Sequence, residues 1–145
     1  MREVPAGLCS TIDVVVSREM TVDFDELGPV HPVYATYWIA KHMEEVSRKL
    51  ILPFLDHGEE GIGHSVTVKH FNSAPVGMRV TITATLVATT ANRIVSECRA
   101  MSELGDVIAE GGTEQVVLPS EVIQRRFDRV RAQLAEASQA RAVRS

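Results

Sequence analysis

The sequence is poor in the features that mark several protein classes. It holds only two cysteines in 145 residues, Cys9 and Cys98, which are too few and too scattered for a disulfide framework or a zinc site. We expect both to be plain thiols in a reducing cytoplasm. No apolar run approaches the roughly 20 residues that a membrane span needs, and the opening segment MREVPAGLCST lacks the apolar stretch of a secretory signal. These absences predict a cytoplasmic protein without a membrane partner.

The chain also lacks an excess of positive charge. Its formal net charge is −4, so it has no basic footprint for nucleic acid. Apolar residues make up 45% and charged residues 23%, which is typical of a globular chain. A length of 145 residues suits one domain with a core of ordinary size. We therefore predict a single domain over residues 1–145 that does not bind nucleic acid.

The first half of the chain reads as a strand followed by a long helix. β-Branched residues alternate in TIDVVVSREMTVDF, where Ile12, Val14 and Val16 share a face, and this predicts a strand. In the next segment, DELGPVHPV, one glycine and two prolines exclude regular structure. A helix is then predicted over residues 33–55, and the segment HGEEGIG after it reads as a loop.

The second half reads as four strands, separated by short turns and followed by a helix. In the second of these strands Val80, Ile82 and Ala84 share one face and threonines occupy the other. Ser120 is a candidate N-cap for a helix over residues 120–145, whose last ten residues lack an apolar stripe and are predicted to fray. The four strands are HSVTVKHF, MRVTITATLVATT, RIVSECRAMSEL and DVIAEGGTEQVVLP. The stripe of the final helix consists of Ile123, Phe127, Val130 and Leu134.

Together these elements predict an α+β protein with the hotdog fold. In that architecture one sheet, here of five antiparallel strands, wraps around one long helix, and this chain adds a C-terminal helix. Short turns between successive strands favour the antiparallel arrangement. A sheet of this size leaves an exposed edge and one poorly covered face, and pairing with a second copy is the expected remedy. We therefore expect a homodimer or a dimer of dimers.

Two adjacent glutamates of the long helix face different ways. At about 100° per residue, Glu45 lies opposite the apolar stripe that contains Ile39 and Met43. Glu44 instead falls on the flank of the apolar side, the side toward which Thr36 also projects. An unpaired buried carboxylate costs several kcal/mol, so it must find partners, titrate or reach solvent. Helix geometry alone favours a boundary residue that reaches water, and an inward functional carboxylate is the alternative.

His70 raises the same question on a strand. It shares a face with Val66 and Val68, and a lone histidine on such a face is more often a hydrogen-bonded core residue than a catalyst. Thr36 alone reads as a helix cap or first-turn threonine. The combination is more informative, because a hydroxyl or water nucleophile needs a base to activate it and an oriented donor for the developing charge. Thr36, Glu44 and His70 have these capacities if the sheet brings His70 over the helix.

The sequence does not predict a metal or phosphate site. His64 and His70 are six residues apart on one strand face, roughly 20 Å at the rise of a strand, which is too far to chelate one ion. His42 and Glu44 are two residues apart on a helix and do not face each other. The segment HGEEGIGH lacks the lysine and following hydroxyl of a phosphate-binding loop. We expect no metal and no separate cofactor.

The segments ATYWIAKHMEE and GIGHSVTVKHFNSAPVGMRVTITATL resemble the fluoroacetyl-CoA thioesterase family and its bacterial hotdog relatives. The likeness extends from about residue 14 to residue 119. It depends on the spacing of Thr36 and Glu44, the Gly-x-Gly before the second strand, His70 at the end of that strand, and the PVGMRVT turn. Together these elements are fairly specific.

The resemblance implies a site and an activity. Thr36, Glu44 and His70 match the catalytic set of the family, and Gly63 matches a glycine whose N–H helps to hold the thioester carbonyl. The family is a homodimer with the acyl-CoA site between subunits, and CoA is part of the substrate. One position departs: the fluoroacetate-specific enzyme has an aromatic-bearing lid ahead of the threonine, where this chain has Val30. We therefore expect a short-chain or other acyl group.

The sequence thus predicts a hydrolase that cleaves an acyl-CoA thioester with Thr36, Glu44 and His70. Two alternatives stay open. One is an enoyl-CoA hydratase on the same fold, which needs an acid and a base on either side of the substrate's α and β carbons. The other is a dimer that binds acyl-CoA without catalysis, which would bind CoA esters tightly and release no thiol from them.

Overall fold

A five-stranded antiparallel sheet forms the frame of the molecule, and its strand order is β1-β5-β6-β7-β4. The computed structural model describes residues 1–144. A separate two-stranded ribbon is made by β2 and β3, and 3-10 turns lie at Arg18–Met20 and Leu52–Phe54. The elements are β1 (Cys9–Val15), β2 (Thr21–Phe24), β3 (Gly28–Tyr34), α1 (Thr36–Ile51), β4 (Glu59–His70), β5 (Arg79–Thr90), β6 (Arg93–Ser102), β7 (Val107–Pro119) and α2 (Ser120–Arg144).

Helix α1 packs against one face of this sheet, and the core lies between them. The predicted helix stripe is buried at Ile39, Met43 and Val46, as the helical period requires. On β5 the predicted alternation is also confirmed, since Val80 and Ile82 are both fully buried. The predicted hotdog fold, with its five antiparallel strands around one helix and its C-terminal helix, is therefore confirmed.

The segment before α1 differs from the prediction. The segment DELGPVHPV, residues 25–33, was expected to be irregular and the helix was expected over residues 33–55, but Gly28–Tyr34 forms β3 and α1 extends only from Thr36 to Ile51. Proline is compatible with this ribbon because both of its strands are edge strands. The pairing of β2 with β3 is also interrupted by register shifts. The single strand predicted over TIDVVVSREMTVDF is likewise wrong, because the 3-10 turn divides it between β1 in the sheet and β2 in the ribbon.

The segment HGEEGIG also differs, because β4 begins inside it, at Glu59. Gly61 is a strand residue packed under α1, where a Cβ atom would lie 2.8 Å from Cδ1 of Ile51. The register of β4 against β7 shifts between Gly63 and Ser65, which makes His64 the extra residue of a β-bulge. Bulges redirect side chains and are common beside active sites. Here the bulge lets Gly61 and Gly63 face α1 together with Val66, Val68 and His70.

The C-terminal helix was predicted correctly at its start, and it extends to Arg144, through the segment expected to fray. Ser145 lies outside the described residues. Of the predicted apolar stripe only Ile123 is buried, whereas Phe127, Val130 and Leu134 are exposed. Helix α2 is thus attached to the sheet through its first turn.

Candidate active site

The hydroxyl of Thr36 lies 2.9 Å from Nδ1 of His70. Thr36 is the first residue of α1, and the preceding Ala35 occupies the N-cap position without a side-chain cap. The hydroxyl is therefore directed to the imidazole and does not cap the helix. His70 is half-buried at the end of β4, so the sheet does bring it to the start of the helix.

The hydrogen bond on the other side of the His70 ring defines its tautomer. Nε2 lies 2.9 Å from the backbone carbonyl oxygen of Asn72, which can only accept a hydrogen bond. Nε2 therefore carries a hydrogen, and when the ring has only this one, Nδ1 accepts the hydroxyl hydrogen of Thr36. The side chain of Asn72 donates in turn to the carbonyl of Val107, at 2.7 Å. A hydroxyl, a base and an oriented third group are the parts of an activated nucleophile.

Backbone contacts hold the start of α1 against the loop that follows β4. The N–H of Tyr34 donates to the carbonyl of Ala74 at 2.8 Å, and Val33 forms a bridge with Pro75. Because these contacts join residues about 40 positions apart, the Thr36–His70 pair is a product of the tertiary fold. A cavity of about 450 Å³ lies at this pair, and its lining residues are Val22, His31, Pro32, Val33, Tyr34, Thr36, His70 and Ser73.

The ribbon of β2 and β3 covers this cavity and is anchored by Tyr37. The hydroxyl of Tyr37 accepts a hydrogen bond from the N–H of Asp23 at 2.8 Å, and the ring lies 5.7 Å from that of Phe24. Val30 lies on β3 with 45% of its surface exposed. In this single chain Val30 does not line the cavity, and the β3 residues that do are His31, Pro32, Val33 and Tyr34. A role for Val30 in substrate selection stays a prediction.

Glu44 and Gly63 form a second pair. Glu44 is exposed, and its Oε2 would lie 3.6 Å from a Cβ atom on Gly63. Both residues line a cavity of about 490 Å³ between α1 and β4. The carboxylate is thus directed to the inner face of the edge strand, and in the single chain it reaches solvent through the cavity.

The three predicted residues do not meet within one chain. Among residues 1–144, no hydrogen bond joins Glu44 to Thr36 or to His70. Thr36 and Glu44 are eight residues apart on one helix, or about 12 Å along its axis. One chain therefore carries a hydroxyl–imidazole pair at one end of α1 and a carboxylate–glycine pair farther along it.

Sequence reasoning missed two polar residues near these pairs, Asn72 and Gln115. Asn72 lies in the NSAPVG turn and has no motif of its own. Gln115 is 6% exposed and lies opposite Gly63 in the register of β4 and β7. The alternation of β7 places Gln115 with Thr113 and Val117 on the inner face, which was the available signal.

A buried aromatic cluster supports α1 behind the Thr36–His70 pair. The hydroxyl of Tyr34 and Nδ1 of His42 are 2.5 Å apart, and the ring of Trp38 packs on the same imidazole. Burial lowers the pKa of His42, partly offset by the negative charge of Glu45, and burial raises the pKa of Tyr34. The neutral imidazole is therefore the form that fits the folded protein.

Residues 1–144 contain no group of three or more side chains placed to hold a metal ion. In the same part of the chain, no helix combines the length and the apolar character needed to cross a membrane.

Residues 16–121 match the sequence model of a family described as fluoroacetyl-CoA-specific thioesterase. The fluoroacetyl-CoA thioesterase of Streptantibioticus cattleyicolor is 29% identical over 113 residues, which are 74% of this chain and 81% of that protein. A Thermus thermophilus hypothetical protein, a thioesterase superfamily member, is 50% identical, with a TM-score of 0.93 over 94% of this chain and 99% of that one. A structure of the fluoroacetyl-CoA thioesterase matches with a TM-score of 0.81 at 26% identity, over 88% of this chain and 97% of that one.

Proposed function

This chain belongs to the fluoroacetyl-CoA-specific thioesterase family, and we propose that it hydrolyses a short-chain acyl-CoA thioester at a site shared by two subunits. The predicted family is confirmed, and the chain is an acyl-CoA thioesterase. The observation that carries the residue assignment is the hydrogen bond from Thr36 to Nδ1 of His70, with Nε2–H of the same ring held by the Asn72 carbonyl. This arrangement prepares the hydroxyl to lose its proton.

We assign the shared site to the edge of the sheet at β4. This strand is paired only with β7 within residues 1–144, and an open edge of 12 residues favours pairing with another strand. A two-fold axis between Val66 and Thr67 of β4 would pair two copies antiparallel. The His70 end of one strand would then lie beside the Gly63 end of the other. Glu44 of the partner subunit would thereby approach the Thr36–His70 pair, which Glu44 of the same chain does not contact.

In the proposed reaction the hydroxyl, the imidazole, the backbone N–H and the carboxylate each have a separate role. His70 Nδ1 takes the hydroxyl proton of Thr36, or of a water bound there, as the oxygen attacks the thioester carbon. The Gly63 N–H donates to the oxygen that becomes negative. The C–S bond breaks, and the proton on His70 passes to the departing thiolate, which leaves as CoA thiol. If Thr36 is the nucleophile, Glu44 accepts a proton from the water that attacks the acyl-threonine, the bond between the acyl carbon and the Thr36 oxygen breaks, and the proton passes to that oxygen as the free acid leaves. If water attacks the thioester directly, Glu44 with His70 removes and relays its proton.

The size of the acyl group is inferred from the residue at the lid position and from the ligands of solved relatives. In the family the aromatic-bearing lid belongs to the fluoroacetate-specific enzyme, and this chain has Val30 at that place. The relatives solved with acetyl-CoA and with fluoroacetate and CoA support a small acyl group. We propose acetyl-CoA and other short esters as substrates.

A panel of acyl-CoA esters tests this proposal. Release of thiol is measured with acetyl-, fluoroacetyl-, butyryl-, octanoyl- and crotonyl-CoA, and we expect the short saturated esters to react fastest. Consumption of crotonyl-CoA without thiol release would indicate hydration instead. Tight binding of every ester without turnover would indicate a binding protein.

A further inference from the structure

The side chain of Gln115 occupies the floor of the cavity that contains Glu44. Gln115 lies on β7 directly opposite Gly63 on β4, and residues opposite each other in an antiparallel pair project to the same face of the sheet. That face is turned to α1, because the position of a Gly63 Cβ atom lies 3.6 Å from Oε2 of Glu44. Gln115 lines the same cavity of about 490 Å³.

The amide nitrogen of Gln115 lacks a hydrogen-bond partner. Within residues 1–144, Nε2 of Gln115 and Oγ of Ser96 are the buried side-chain polar atoms that have none. Leaving a buried donor unsatisfied is unfavourable for the folded state. Other buried hydroxyls nearby are satisfied, since Thr113 donates to Ser47 at 2.7 Å. The unused donor of Gln115 thus requires an explanation.

The carboxamide of Gln115 lies beside Gly61, where a Cβ atom would be 3.3 Å from Gln115 Oε1, and Gly63, two residues farther along β4, keeps the adjoining space open. A Cβ atom on Gly63 would meet nothing within 4 Å except Glu44 Oε2, so the missing side chain leaves room above the strand. Nε2 is itself buried, so it reaches this space only when the side chain turns, and the terminal carboxamide of glutamine turns about a soft torsion. A thioester carbonyl suits this space, because its oxygen can accept a hydrogen bond from the amide of Gln115 while its electrophilic carbon lies open to attack.

We propose that Nε2 of Gln115 donates a hydrogen bond to the thioester oxygen as its negative charge develops, beside the N–H of Gly63. This inference rests on the proposed function and adds a further catalytic residue to it. The unpaired Nε2–H of Gln115 destabilises the protein without substrate, and it gains an acceptor when the substrate carbonyl enters the cavity. Such an interaction is strongest in the transition state, so it raises kcat more than it lowers KM.

The isosteric variant Gln115→Met tests the inference in the full-length protein with acetyl-CoA as substrate. We expect kcat to fall about 100-fold with KM changed less than about twofold, and we expect the melting temperature to stay equal or to rise because an unsatisfied donor is removed. Ser96→Ala is the matched control. It removes the other unpartnered polar atom, which does not line this cavity, and we expect an equal or higher melting temperature with unchanged kcat.

The outcomes separate this inference from the proposed function. If the wild-type protein is active and the Gln115→Met variant keeps kcat within twofold, the proposed role of Gln115 is overturned and the proposed function is not. A fall in kcat that comes with a lower melting temperature, or a rise in KM at constant kcat, also overturns it. Failure of the wild-type protein to release thiol from any ester overturns the proposed function itself.

Discussion

Thr36 and His70, separated by 34 residues in the sequence, share a hydrogen bond of 2.9 Å at the start of α1. The direction of that bond follows from the carbonyl of Asn72, which accepts from the opposite side of the ring. A threonine hydroxyl that donates to an imidazole can be deprotonated as it attacks, so the proposed reaction begins at this pair.

Removing the base or the carboxylate should abolish turnover without unfolding the protein. We expect His70→Ala and Glu44→Gln each to lower kcat for acetyl-CoA by about 10²- to 10⁴-fold, the usual contribution of a positioned acid or base. Glu45→Gln is the matched control, because it removes the same charge one residue farther along the helix, and its kcat should stay within about twofold. Near-normal hydrolysis by both His70→Ala and Glu44→Gln would contradict the assignment.

Substitutions at Thr36 distinguish the two nucleophiles. Thr36→Val keeps the shape of the side chain and removes the hydroxyl, and we expect kcat to fall by at least about 100-fold. Thr36→Ser keeps the hydroxyl and should retain most of the activity. If Thr36 itself attacks, rapid quenching followed by mass spectrometry will detect an acetyl group on the wild-type chain. Activity of Thr36→Val equal to that of Thr36→Ser would exclude any role for the hydroxyl.

Asn72 is expected to act through His70. In Asn72→Ala the side-chain bond to Val107 is lost, so the carbonyl that holds Nε2–H is less constrained. We expect kcat to fall about tenfold with little change in KM, and ¹⁵N NMR of His70 to show a mixture of tautomers in place of one. Asn92→Ala, in the turn between β5 and β6, is the control. A single unchanged tautomer in Asn72→Ala would show that the side chain does not position the ring.

The buried His42 should make stability depend on pH. Burial lowers its pKa in the folded state, whereas in the unfolded chain the pKa is near 6.5. As the pH falls below 6.5 the unfolded state takes up a proton first, so the free energy of unfolding decreases, by at most about 1.4 kcal/mol per pH unit for one group. Urea unfolding between pH 8 and pH 5 will show a larger loss for the wild type than for His42→Gln. Equal losses in the two proteins would contradict this role.

The sequence pattern predicted the frame of the molecule because most of its signals are local. The period of 3.6 residues identified the buried face of α1, including Ile39 and Met43, and the period of two identified the inner face of β5. The glycines and prolines were less informative. Gly61 belongs to a strand, and it is a glycine because α1 packs closely over it. Pro29 and Pro32 belong to the ribbon of β2 and β3, which tolerates residues without a backbone N–H.

The site was predictable only in part. The faces of the helix and strand directed Thr36 and His70 inward, and the structure joins them. Helix geometry alone places Glu44 about 12 Å along the axis from Thr36. No pattern within one segment could show which residues approach Glu44, because that depends on the tertiary fold and, in the proposed dimer, on a second chain. Asn72 and Gln115 escaped notice because their partners are set by contacts between β4 and β7.

Mixing two inactive variants tests the shared site most directly. Thr36→Ala and Glu44→Gln are each expected to be inactive, and the two proteins are unfolded, mixed in equal amounts and refolded together. Random pairing makes half of the dimers mixed, and in each mixed dimer one of the two shared sites has both native residues. We therefore expect recovery of about one quarter of the wild-type rate of acetyl-CoA hydrolysis. No recovery, with mixed dimers present, would show that Thr36 and Glu44 do not act together across two chains.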